Sequence, residues 1–202
     1  KPKPPKLIPY YVSYEQIEEL LHQPDTRTLI GFRDRCIIEI LYCTGIRVSE
    51  LAGLNREDFN EAESILHIRG KGEHERLIPL TPTASKWLKD YITHPERYVD
   101  GYSRKAQVDP AAIFLNRMGK RISTRTIGRR FEIYTEAIGL QGRMTPHTLR
   151  HAIATHWLEN GMDIKTIKVL LGHESFSMTT IYTQVSTKLK KENHSRANLL
   201  GD

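Results

Sequence analysis

Residues 145–172 read TPHTLRHAIATHWLENGMDIKTIKVLLG, and the punctuation of this stretch sets the fold class. Thr145 followed by Pro146 is a helix cap with proline at the first helical position, where the missing N–H costs nothing. A helix is therefore predicted from His147 to about Glu159, with Gly161 ending it. Asp163 caps a short helix through Leu171, which Gly172 stops. Further out, the same grammar recurs. Ser13 and Gln16 make a capping-box pattern ahead of Ile17, Leu20 and Leu21. Leu29, Phe32, Cys36, Ile40 and Cys43 recur at helical spacing up to Gly45. Helices are also predicted over 83–92 and over 124–138, the second stopped by Gly139. The texture changes only at SILHI (64–68) and ERLIPL (75–80), two β-rich runs flanking Arg69-Gly70-Lys71-Gly72-Glu73-His74, which reads as a hairpin. AIFL (112–115) is a candidate short strand. The expected fold is mainly α with a small antiparallel β-sheet (α+β).

The opening KPKPPKLIP combines proline and lysine, so residues 1–12 read as an interdomain linker. The chain has 202 residues, 39% of them hydrophobic, enough for a globular core. No run approaches the eighteen apolar residues of a membrane span, and no signal-like segment follows the basic start. Cys36 and Cys43, seven apart on one stripe, read as core packing. Two cysteines cannot staple a chain of this size, so a reducing, cytoplasmic setting is expected. The net charge of +6 points modestly to a polyanion partner.

The common catalytic signatures are missing: there is no G-x-S-x-G elbow, no P-loop and no zinc-type cysteine pairing. His147 and His151 are four apart, but without a following Glu or a carboxylate cluster no metal centre and no cofactor are expected. What remains is a set of cationic and proton-handling residues at punctuated positions. Arg47 follows the glycine that ends a helix, with Glu50 three residues on to brace it. Lys71 sits between glycines at the hairpin turn. His147 and Arg150 share a helix face. His173 follows a helix C-terminus, and Tyr182 comes nine residues later. Singly these are ordinary surface charges, turn residues and packing groups. Together they suit a phosphodiester. Two guanidiniums can clamp the non-bridging oxygens of a phosphorane-like transition state, tyrosine can be the nucleophile, and lysine and histidine can move protons.

The motifs TGIRVSEL (44–51), RGKGEHERLIPL (69–80), TPHTLRHAIATHWLENG (145–161), IKVLLGHES (167–175) and TTIYTQV (179–185) closely resemble those of the tyrosine recombinases, the phage-type integrases, in both order and spacing. The likeness is greatest to the Xer-type branch and runs from about Ser13 to Val185. It implies that Arg47 and Arg150 are the clamp arginines and Lys71 the general acid for the departing 5′ oxygen. It likewise implies that His147 is the acid/base group, His173 a phosphate donor, Tyr182 the nucleophile and Glu50 a supporting acid. The implied reaction is site-specific cutting and rejoining of double-stranded DNA through a 3′-phosphotyrosine, without metal or ATP, in a tetramer of protomers on two DNA sites. No small-molecule substrate and no membrane partner are implied.

By the same likeness residues 13–185 are the catalytic domain, and 186–202 a tail able to reach a neighbouring protomer. By that likeness the family's N-terminal DNA-clamp domain is expected to be absent from this chain. The family's His-Pro-Arg stretch after the tyrosine is here His194-Ser195-Arg196, which puts docking of the tail in question. Independently of any resemblance, Arg117, Lys120, Arg121, Arg125, Arg129 and Arg130 form an acid-free basic stretch and are candidate DNA contacts. Six phosphate contacts would give a salt slope of about −5. Two alternatives share the chemistry or the fold: a type IB topoisomerase or telomere-resolvase-like enzyme, and a non-catalytic DNA-binding module.

Overall fold

The computed structural model describes residues 10–70, 75–98 and 108–172. Helix α1 (Tyr14–Leu21) starts on the expected capping box, with the Gln16 N–H donating to Ser13 Oγ and the Ser13 N–H to Gln16 Oε1. Its Ile17, Leu20 and Leu21 turn inward, each removed from water at a gain of about 1.5–3 kcal/mol. Helix α2 (Leu29–Thr44) is the axis of the molecule. It packs against α1, α3, α4 and α6, so it is buried nearly all round instead of along one stripe. Cys36 and Cys43 lie in that core as reduced thiols.

Helix α3 (Val48–Gly53) follows at once, then the strands β1 (Phe59–Asn60), β2 (Ile65–Arg69) and β3 (Glu75–Pro79). They form one antiparallel sheet in the order β1-β2-β3, with Ile68 opposite Arg76 and Leu66 opposite Ile78. The predicted hairpin is therefore present, widened by a strand at 59–60 that the sequence reading lacked. The residues of its turn, 71–74, lie outside the described set.

Helix α4 (Pro82–Ile92) packs against α2. The candidate strand at 112–115 is not one. Ala112 and Leu115 make only isolated bridges, to Asn55 and Arg121, while Ile113 and Phe114 are fully buried. Their hydrophobicity serves the core, and Phe114 stacks on Tyr91. Helices α5 (Thr124–Ala137), α6 (Pro146–Glu159) and α7 (Ile164–Leu170) close the molecule, each capped by the residue before its first turn: Ser123, Thr145 and Asp163.

Residues 10–12, read as the end of a linker, pack on α6. Val12 is buried and its carbonyl accepts from His156 Nε2 at 2.9 Å, while Tyr14 stacks on the same imidazole at 3.9 Å. The helix expected around Tyr182 and the tail 186–202 fall outside the described residues.

Candidate active site

The site begins where α2 stops. Gly45 adopts the left-handed conformation (φ +60°) that glycine takes without steric cost, and its N–H closes the helix on Leu41 O at 2.9 Å. A Cβ at Gly45 would lie 2.9 Å from Leu171, so the turn is also tightly covered. Two residues on, Arg47 is the N-cap of α3. Its backbone N–H donates to Glu50 Oε2 at 2.8 Å, and its Nη1 donates to Glu50 Oε1 at 3.2 Å. Glu50 thus caps the helix and tethers the guanidinium above it, leaving about half of the Arg47 side chain exposed.

The Glu50 carboxylate is shared. Arg76, on β3, donates to it from both Nη atoms at 3.0 and 2.8 Å, and its Nε donates to Leu170 O at 2.9 Å. Burial by itself would raise the Glu50 pKa. The Arg76 fork, the Arg47 N–H and the two positive charges outweigh burial and hold it below the ordinary carboxylate value. Arg76 is buried between Glu50 and the end of α7. Gly172, at φ +71°, is packed close against it, since a Cβ there would sit 2.9 Å from Arg76 Nη1. The sequence reading did not single out Arg76. The signal was its strand parity: it alternates in phase with Ile78, whereas Leu77 points outward.

Arg150 completes the group from α6. It is buried, and its two Nη atoms donate to Gly45 O and Leu171 O, tying the turn after α2 to the turn after α7. Those bonds use two of the five N–H donors of a guanidinium. Burial, together with the charges of Arg47 and Arg76, lowers the Arg150 pKa to about 10, with Glu50 opposing. Three guanidiniums and one carboxylate leave the group two positive charges in excess. A cation so destabilised by desolvation and by like charges is stabilised by an arriving anion.

His147 lies in the exposed first turn of α6, its Nε2 3.0 Å from Nε2 of His151. Lys71, His173 and Tyr182 lie outside the described residues. The described chain brings Arg47, Glu50 and Arg150 together, and it leads from β2 toward Lys71 and from Gly172 toward His173.

The basic stretch 117–130 is not one outward-facing stripe. Arg121 donates to Ala52 O, Leu54 O and Asn55 Oδ1, holding the chain after α3. Arg130 pairs with buried Asp34 at 2.6 Å and donates to Tyr134, whose hydroxyl also donates to Asp34. Both guanidiniums are thus engaged by the protein's own acceptors, while about a third of each side chain stays exposed, 33% for Arg121 and 29% for Arg130. Arg117, Lys120, Arg125 and Arg129 are exposed, Arg125 and Arg129 one turn apart on α5. Among the described residues no cluster of three or more His, Cys, Asp or Glu is placed to hold a metal. No helix among them is long and apolar enough to cross a membrane.

Comparison with known proteins identifies the family and the fold. Tyrosine recombinase XerC of Chlamydia caviae is 51% identical over 98% of the chain and 61% of that protein. A crystal structure of XerA recombinase superposes with a TM-score of 0.72 at 31% identity, covering 97% of this chain and 66% of the other. The XerH site-specific recombinase bound to difH substrate, in a pre-cleavage complex, superposes with a TM-score of 0.69 at 26% identity, covering 87% of this chain and 50% of the other. The chain thus spans about three fifths of the length of the curated relatives it matches. The model of the phage integrase family matches residues 11–188, most of the chain, and the chain belongs to that family, the tyrosine recombinases.

Proposed function

We propose that this chain is the catalytic part of a site-specific DNA recombinase. The observation that carries the reading is the joining of Arg47 and Arg150, through Glu50, Arg76 and the two turns, into one group with two excess positive charges. A scissile phosphate matches that charge. Arg47 and Arg150 grip its non-bridging oxygens, and their donors strengthen as charge develops in the pentacovalent transition state. Tyr182 attacks the phosphorus and the bond to the 5′ oxygen breaks, leaving a 3′-phosphotyrosine and a 5′ hydroxyl. Lys71 supplies the proton to the departing oxygen. His147 and His173 handle the tyrosine proton and the phosphate. The reverse step, with the 5′ hydroxyl of a partner strand, rejoins the DNA without ATP because the phosphotyrosine conserves the bond energy. Residues 13–185 form the catalytic unit. Residues 186–202 reach a neighbouring protomer in a tetramer on two DNA sites. The exposed cations Arg117, Lys120, Arg125 and Arg129 contact the backbone of double-stranded DNA.

The test is a suicide substrate nicked beside the scissile phosphate of the target site. The chain forms a denaturation-resistant adduct that Tyr182→Phe abolishes. Arg150→Ala abolishes the adduct and leaves most DNA affinity, because one phosphate contact is a small share of the total. An adduct that survives Tyr182→Phe overturns the reading, and no adduct on the correct site favours a binding module. Exchange between two labelled duplexes separates a recombinase from a topoisomerase.

A further inference from the structure

The imidazoles of His147 and His151 meet on the solvent face of α6. They are one turn apart, both exposed, with Nε2 atoms 3.0 Å from each other and rings 4.5 Å apart at 84°. We propose that this pair is a capture site for a divalent transition-metal ion that prefers right-angle coordination, Cu2+ or Ni2+, and that the ion inhibits the chain.

The bite of the pair sets the preference. With metal–nitrogen bonds of about 2.0–2.1 Å, two nitrogens 3.0 Å apart subtend an angle of about 94° at the ion. That suits two adjacent positions of a square or octahedral ion and falls short of the tetrahedral angle of Zn2+. The pair is mounted on one rigid helix, so its spacing costs no loop closure. Among the described residues no cluster of three or more ligating side chains is present, so the proposal asks two protein nitrogens of this pair and no third ligand. Binding needs an unprotonated Nε2 on each ring, so any proton on either Nε2 moves to Nδ1 or leaves to solvent as the ion arrives. Inhibition rests on the function proposed above, because the ion would occupy the nitrogen that His147 uses for proton transfer.

The experiment titrates the full chain with CuCl2, NiCl2 or ZnCl2 by calorimetry, with Cu2+ electron paramagnetic resonance in parallel. The expected result is one site, tighter for Cu2+ and Ni2+ than for Zn2+, weakened at least tenfold by either His147→Ala or His151→Ala. Circular dichroism should be unchanged in both, and the nitrogen hyperfine pattern of Cu2+ simplified. Unchanged binding in His151→Ala, or a preference for Zn2+ over Ni2+, overturns the site. In the adduct assay Ni2+ should slow wild type and spare His151→Ala relative to its own metal-free rate. Ni2+ that binds without slowing adduct formation leaves the site standing and removes His147 from the reaction.

Discussion

Replacing Arg76 by methionine keeps much of the side chain's volume and removes its charge and its donors. The structure fixes what is lost: two charge-assisted bonds to Glu50 at 3.0 and 2.8 Å and one bond to Leu170 O at 2.9 Å, all in a buried setting. Removing one partner of a buried pair costs about 3–5 kcal/mol, chiefly because the other charge is stranded. For a domain of this size that corresponds to about 6–20 °C in Tm. The loss should depend on pH, and its sign follows from Glu50. In the wild type the Glu50 pKa is depressed, so its contribution is present above the ordinary carboxylate value and disappears as pH falls through the folded value. Without Arg76 the raising effect of burial is opposed by Arg47 alone. Glu50 in the variant then protonates at higher pH and stops being stranded. The stability gap should therefore be widest near pH 7 and narrow toward pH 4. Urea unfolding at both pH values reads it. A gap under about 1 kcal/mol, or one that is the same at both, refutes the view that Arg76 acts through Glu50.

Three further outcomes follow. Gly172→Ala adds a Cβ 2.9 Å from Arg76 Nη1 at a φ of +71°, so it should cost at least about 1 kcal/mol in urea unfolding and lower adduct yield. Asp34→Asn leaves Arg33 and Arg130 without their carboxylate and should lose about 3–5 kcal/mol, whereas Arg129→Ala, on the exposed face of the same helix as Arg130, should stay within about 0.5 kcal/mol by the same measurement. His156 is held neutral: burial depresses its pKa, so stability should fall as pH drops below the ordinary histidine value, and His156→Gln should flatten that dependence. Limited proteolysis near Tyr11 at pH 7 and pH 5 gives a local reading of the same event, since the His156 ring holds the Val12 carbonyl.

The elements that announce themselves locally were readable from sequence: the capping box at Ser13, the glycine stop at Gly45, the Thr145-Pro146 start and the Asp163 cap all stand where the residues put them. Local chemistry determines these, and no distant partner is needed. Features decided by distant partners were harder. AIFL has the composition of a strand, yet its middle pair is spent on the core, so no continuous ladder forms. The two-residue strand at 59–60 has too little sequence to show a period. Arg121 and Arg130 look like their exposed neighbours until Asn55 and Asp34, each more than sixty positions away in the chain, are folded against them. In the site, Arg47 and Glu50 were legible as a helix-start pair. Arg76 was not, because an arginine in a strand is ordinarily taken as the solvent side of the alternation.

The double attachment of Arg150 carries a genetic consequence. Its guanidinium secures the chain reversals after α2 and α7 from a place where no apolar group could do so. In a selection that scores only soluble expression, blind to DNA, this position should tolerate substitution less well than the exposed arginines of α5.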